Sequence, residues 1–182
     1  MKNNITLLMT VLFFSASAQT PTAAENKKIK KDLAFISDAA QGALMEVKLG
    51  QLAQTNALTP EVKTDALQMV TDHGKESEAL TGLANKKTFS LPASLSSKMQ
   101  KEYDELAKLN GTGFDKKYAR NMIKDHKKDL CAFKREAKKG KDPDIRSWAN
   151  NMIPQLEEHL NLWKDAYKAA KSQPPARTVV SK

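Results

Sequence analysis

The sequence predicts an all-α protein, and three observations carry that prediction. Helix breakers are sparse, with seven Gly and seven Pro in 182 residues. Aromatic residues, which favour strands, make up only 6%. Apolar residues recur at steps of three and four between Asn26 and Lys171, the spacing of an amphipathic helix. The ten-residue alternating segments of an outer-membrane barrel are missing.

Residues 1–18 are expected to be an address. Lys2 supplies a positive start, Ile5 to Phe14 is an apolar run relieved by Thr6 and Thr10, and Ala16-Ser17-Ala18 presents small residues for cleavage. This signal peptide is too short to span a bilayer comfortably. The mature domain is then expected over 19–172, exported and periplasmic, with no transmembrane segment and no lipid-anchoring Cys. The first long helix is predicted from about Lys28 to Asn56. Thr59-Pro60-Glu61 opens a second with a hydroxyl cap, a proline in the first turn and an acid near the positive end. It runs to about Lys87, and Pro92 then disfavours helix at Leu91.

A shorter helix is predicted from about Ser94 to Asn110, stopped by Asn110-Gly111-Thr112-Gly113. Thr112-x-x-Asp115 has the form of a capping box for the next long helix. That helix ends at Lys138-Lys139-Gly140, with cations at its negative end and glycine beyond. Asp142-Pro143-Asp144 opens the last, which reaches about Lys171, with Pro154 expected to kink or split it. Residues 173–182, with Pro174-Pro175, read as a disordered tail.

Two tight turns make antiparallel pairs of the four long helices, each ~40 Å in length. The middle connection is long enough to cross the bundle, so the second long helix runs parallel to the third. The expected architecture is a ferritin-like four-helix bundle with a short extra helix in the long middle crossover.

Composition narrows the chemistry. One cysteine rules out an intramolecular disulfide framework and every multi-Cys zinc motif; Cys131 is expected to be buried as a small hydrophobe. Lys+Arg number 30 against 21 Asp+Glu, a net charge of +9. Clusters such as Lys27-Lys28-x-Lys30-Lys31 and Lys134-Arg135-x-x-Lys138-Lys139 would suit nucleic acid, but export speaks against it. A solvating face, with peripheral contact to acidic envelope surfaces, is expected instead. No Gly-rich phosphate loop, Ser/His/Asp signature or nucleophilic-Cys context is present, and no catalytic residue is assigned.

The three histidines fall on predicted seams. On the second helix the stripe reads Val62, Ala66, Met69, His73, a polar step at Glu76 or Ser77, Leu80 and Ala84. On the next long helix it reads Ala119, Ile123, His126, Leu130, Phe133, Ala137. On the last it reads Ile145, Ala149, Met152, Leu156, His159, Trp163, Ala166, Ala170. The first helix carries Ile36, Ala39, Ala43, Glu46, Gly50 and Ala53, so there the intruder is a carboxylate. All four polar residues fall near mid-height of their helices. Burying them among Leu and Phe is costly unless they satisfy one another or bind something.

Glu46, His73, His126 and His159 could surround one divalent transition metal: Fe, Mn, Zn or Cu. Asp72, Asp125, Asp129 and Glu158 are candidate acceptors for the ring N–H groups. The alternative is a structural Glu/His network without metal, in a non-catalytic envelope protein acting through its basic surface. Diiron chemistry of the ferritin kind needs a carboxylate three residues before His on two helices. Those positions hold Val70, Ile123 and Leu156, so that motif is absent. Met69 and Met122 hint at copper, although methionine at this spacing ordinarily packs a core.

Several ordered blocks also resemble a known family. Phe35-Ile36-Ser37-Asp38-Ala39-Ala40-Gln41-Gly42, Glu46 to Ala53, Met69-Val70-Thr71-Asp72-His73, Phe114-Asp115-Lys116-Lys117-Tyr118 and Ile153 to Leu160 are similar to the bacterial domain-of-unknown-function family 4142. The resemblance covers about Asp32 to Trp163. It implies a ferritin-like fold and the cell envelope, since the family is described as predicted outer membrane proteins, and it implies no settled activity. With neither barrel nor lipid anchor, the residues themselves point to the periplasm, with peripheral association at the outer membrane.

Overall fold

The computed structural model describes residues 23–173; the expected signal peptide and all but the first residue of the expected tail lie outside them. Five helices follow in order: α1 (Ala23–Asn56), α2 (Pro60–Lys86), α3 (Ser97–Ala107), α4 (Gly111–Lys139) and α5 (Pro143–Ser172). No strand occurs among the described residues. The four long helices form the bundle and α3 lies in the crossover, as the sequence predicts. None of the described helices is long and apolar enough to cross a membrane.

Local sequence starts and stops each helix as expected in most places. The Thr59 hydroxyl accepts from the Val62 amide at 3.4 Å, and Pro60 occupies the first turn of α2. Asp142 caps α5, its carboxylate accepting from the amides of Asp144 at 2.9 Å and Ile145 at 3.2 Å. The start of α4 departs from expectation. Its cap is Asn110, without a side-chain hydrogen bond, and Gly111 takes the left-handed φ of +59° that glycine tolerates. The anticipated Thr112/Asp115 box does not form, because Asp115 is used elsewhere.

The principal packing pairs are α1 with α2 and α4 with α5. Two buried aspartates then latch one hairpin to the other. At one end of the bundle, Asp115 of α4 accepts from the amides of Leu58 and Thr59 in the α1–α2 turn, both at 3.0 Å. At the other end, Asp32 of α1 accepts from the amides of Lys141 and Asp142 in the α4–α5 turn, both at 2.7 Å. Lys87, just past α2, reaches Asp142 and Asp144 there, each at 2.7 Å. The start of α4 therefore lies beside the start of α2, and the two helices run parallel.

The predicted seams are the observed core. One apolar block, with Leu49, Met69, Phe114, Tyr118, Met122 and Trp163, fills the half nearer the α1–α2 turn. Two smaller blocks around Ile36, Leu80, Phe133 and Leu156 fill the other half. Burying each large side chain contributes about 1.5–3 kcal/mol. Gly50 is a requirement of this packing: a Cβ there would stand 2.6 Å from the Ala66 carbonyl oxygen. One expectation fails and another is narrowed. Cys131 is exposed, one position off the seam residue Leu130. Pro154 does not split α5, which runs unbroken from Pro143 to Ser172 with Pro154 on its exposed face.

Candidate metal centre

Between the apolar blocks lies a polar layer to which each long helix gives one side chain. Glu46 comes from α1, His73 from α2, His126 from α4 and His159 from α5, and none is more than 4% exposed. The sequence prediction that these four meet at one level is what the fold delivers. The rings pack edge to face. Centroids are 5.9 Å apart for His73–His126, 5.3 Å for His73–His159 and 5.4 Å for His126–His159.

The outward nitrogen of each ring is held by an acceptor. His126 Nδ1 donates to the Met122 carbonyl oxygen at 2.9 Å. A carbonyl can only accept, so Nδ1 carries a proton and Nε2 is the nitrogen turned toward the layer. His73 Nδ1 donates to Glu76 Oε2 at 2.6 Å, and His159 Nε2 donates to Asp72 Oδ2 at 3.1 Å. Of the remaining nitrogens, all buried, His126 Nε2 and His159 Nδ1 have no hydrogen-bond partner, while His73 Nε2 faces the Glu46 carboxylate.

The three histidines can offer ligand atoms that all lie within 4.8 Å of one another. Points at that separation stand at most about 2.8 Å from a common centre, against ~2.0–2.1 Å for an imidazole–zinc bond. Small side-chain rotations close the difference. Glu46 joins from the fourth helix, with Oε2 2.7 Å from His73 Nε2 and 3.7 Å from His126 Nε2. That oxygen is also buried, and at the shorter distance it forms an ion pair with His73. The compact group is the histidine triad, and Glu46 borders two of its members.

Charge in the layer follows from burial and proximity. Burial opposes the charge on Glu46, but the His73 charge beside it prevails and draws its pKa down to about 2. Burial likewise opposes the charge on His73, and Glu46 together with Glu76 still holds its pKa well above the usual range. His159 shifts the other way, lowered by burial and then by the neighbouring His73 charge. Without metal the layer is a carboxylate–imidazolium pair beside a neutral His159.

Among the acids expected to orient the rings, Asp72 does so directly. Asp125 and Asp129 stay half-buried on α4 and hold no ring N–H; burial, then the Glu46 charge, pushes Asp129 up to about 7. Glu158 is exposed and turned away. Glu76 is the acceptor that sequence reasoning passes over. Its signal is the three-residue spacing from His73, which puts both on one helix face.

The family model described as Domain of unknown function (DUF4142) matches residues 17–165. The chain belongs to this family. All four residues of the layer, and the acceptors Asp72 and Glu76, lie within the DUF4142 match. Nothing among curated proteins or solved structures matches the chain. DUF4142 membership carries no activity with it, so function rests on the chemistry of the polar layer.

Proposed function

We propose that this DUF4142 chain is an exported periplasmic protein that holds one divalent transition metal in the core of its bundle. His73, His126 and His159 would be the nitrogen ligands and Glu46 the carboxylate ligand. The single observation that carries this reading is the set of three inward ring nitrogens. All three are buried, His126 Nε2 and His159 Nδ1 without a hydrogen-bond partner and His73 Nε2 against Glu46, and each ring has its outer N–H fixed by Glu76, the Met122 carbonyl or Asp72. A purely structural network would spend the His126 and His159 nitrogens on hydrogen bonds as well, whereas metal sites hold their histidines by an outer N–H and leave the inner nitrogen free. Imidazole with one carboxylate suits Fe, Mn, Zn or Cu. Storage, sensing and modest redox chemistry are all within reach of such a centre. The leader-like residues Lys2, Ile5 to Phe14 and Ala16-Ser17-Ala18 support export.

The test is the metal content of mature protein purified without chelators or a histidine tag, followed by uptake of Fe, Mn, Cu and Zn by the metal-free form. One ion per chain is expected, and His126→Ala should abolish uptake. A protein that contains no metal and takes up none of the four refutes the proposal.

One observation favours a second reading, a basic docking surface. Every exposed charged residue of α4 is Lys or Arg, including Lys117, Arg120, Lys124, Lys127 and Lys128, while its acids are buried or half-buried. Such a face fits peripheral contact with acidic envelope surfaces, and salt-dependent binding to anionic vesicles would test it.

A further inference from the structure

Beside the polar layer, away from Met69 and Met122, lies a cavity of about 20 Å³. One wall is polar, with Glu46, His73 and Glu76 meeting Asp129 from α4; apart from Asp38 the rest is small or apolar, including Gly42, Ala43 and Leu156. A buried water needs roughly 10–15 Å³ and two to four polar partners. The cavity therefore suits one water-sized guest and nothing much larger. Glu46, which lines it, is buried with its Oε2 paired to His73 Nε2 at 2.7 Å, so a guest in the cavity would sit against that pair.

The mouth is set by α1. Gly42 and Ala39 are half-buried there and Asp38 is exposed. Gly42 does not answer to crowding, since a Cβ at that position would meet nothing within 4 Å. Mid-helix glycine where alanine would fit costs about 0.5–1 kcal/mol of helix stability. What glycine provides is open space next to the edge of the layer where Glu46, Glu76 and Asp129 gather. A closed structural site surrounds its ion with protein ligands, whereas a reactive one keeps a position for an exogenous ligand.

Resting on the metal reading above, we infer that this cavity is the open coordination position of the centre. It holds one exchangeable water-sized ligand between the Glu46–His73 edge and Asp129, and the missing side chain of Gly42 keeps it accessible. The ligand class is water, hydroxide or a similarly small molecule. Larger ligands such as imidazole are excluded by volume.

The experiment uses the mature chain loaded with Cu(II), which binds nitrogen-donor sites more tightly than the other first-row divalent ions. Copper stoichiometry is measured alongside deuterium modulation of the copper electron-spin echo in D2O, which reports exchangeable water on the metal. One copper per chain with metal-bound exchangeable water is expected for the native protein and for Gly42→Ala. Gly42→Leu, which projects side-chain volume into the mouth, should retain the copper and lose the water signal. Copper bound without exchangeable water in the native protein overturns the inference and leaves the metal reading standing. A water signal that persists in copper-loaded Gly42→Leu overturns the cavity assignment in the same way. Failure of the native chain to bind copper overturns both.

Discussion

Replacing Gly50 with alanine tests the α1–α2 contact on which half of the polar layer depends. The added Cβ would stand 2.6 Å from the Ala66 carbonyl oxygen and 2.6 Å from Val70 Cγ2. Val70 can rotate away, but the carbonyl belongs to the backbone of α2. Ordinary contact begins near 3.4 Å, so α1 must lift by about 3.4 − 2.6 = 0.8 Å. Overpacking of this kind costs about 1–3 kcal/mol, and the better helix propensity of alanine returns about 1 kcal/mol. The net expectation is a loss of about 1 kcal/mol. Gly42→Ala and Gly74→Ala meet nothing within 4 Å and should gain about 0.5–1 kcal/mol.

The same displacement reaches the site. Glu46 lies one helical turn from Gly50 on the same face, with its Oε2 2.7 Å from His73 Nε2. Zinc affinity, measured by competition with a chromophoric chelator, should fall about tenfold, the low end of effects seen when a ligand loses its support. Urea unfolding of the three alanine variants supplies the stability comparison. If Gly50→Ala is as stable as Gly42→Ala and binds zinc as the native chain does, the close approach of α1 and α2 is wrong.

Three further outcomes follow from other contacts. Glu76→Gln removes the charged acceptor from His73 Nδ1 and should weaken zinc binding about tenfold or more while the circular dichroism spectrum stays helical; unchanged affinity would remove Glu76 from the centre. Asp115→Ala leaves the Leu58 and Thr59 amides without their acceptor and should cost about 1.5–3 kcal/mol in urea unfolding; a loss under 0.5 kcal/mol would show that the latch is not holding the turn. Glu136 is raised to about 7 by burial, then by the charge of and hydrogen bond to Asp32. A raised carboxyl is more stable protonated, so its contribution is present below about pH 4.5 and is lost as pH rises toward 7. Urea midpoints should decline across that window, and Glu136→Gln should flatten the decline; an identical slope in the variant would refute the assignment.

Much of the centre was legible because helical periodicity reports which residues share a face. Steps of three and four placed Glu46, His73, His126 and His159 on seams, and counting along each helix put them at one height. The same periodicity places Cys131 outward, beside Leu130 rather than on the seam, and the general tendency of cysteine toward burial was the weaker guide. Glu76 was hidden because a seam tolerates either position 76 or 77, and only the packed bundle selects between them. The two aspartate latches were not legible at all. Each joins a side chain to backbone amides more than fifty residues away, and backbone donors look alike in any sequence. Asp115 resembled half of a local cap for that reason.

Those latches have a consequence for how the centre comes into being. Glu46 and His73 belong to the first hairpin, His126 and His159 to the second, and neither hairpin owns enough donors to retain an ion. Asp32 and Asp115 hold the two halves in register from opposite ends, as a zip is fixed at both stops before its middle closes. On the proposed reading the coordination sphere is thus a coincidence detector, completed only when both halves have folded and met. A chain cut in the crossover should reunite as two fragments, with ion uptake as the signal of their reunion.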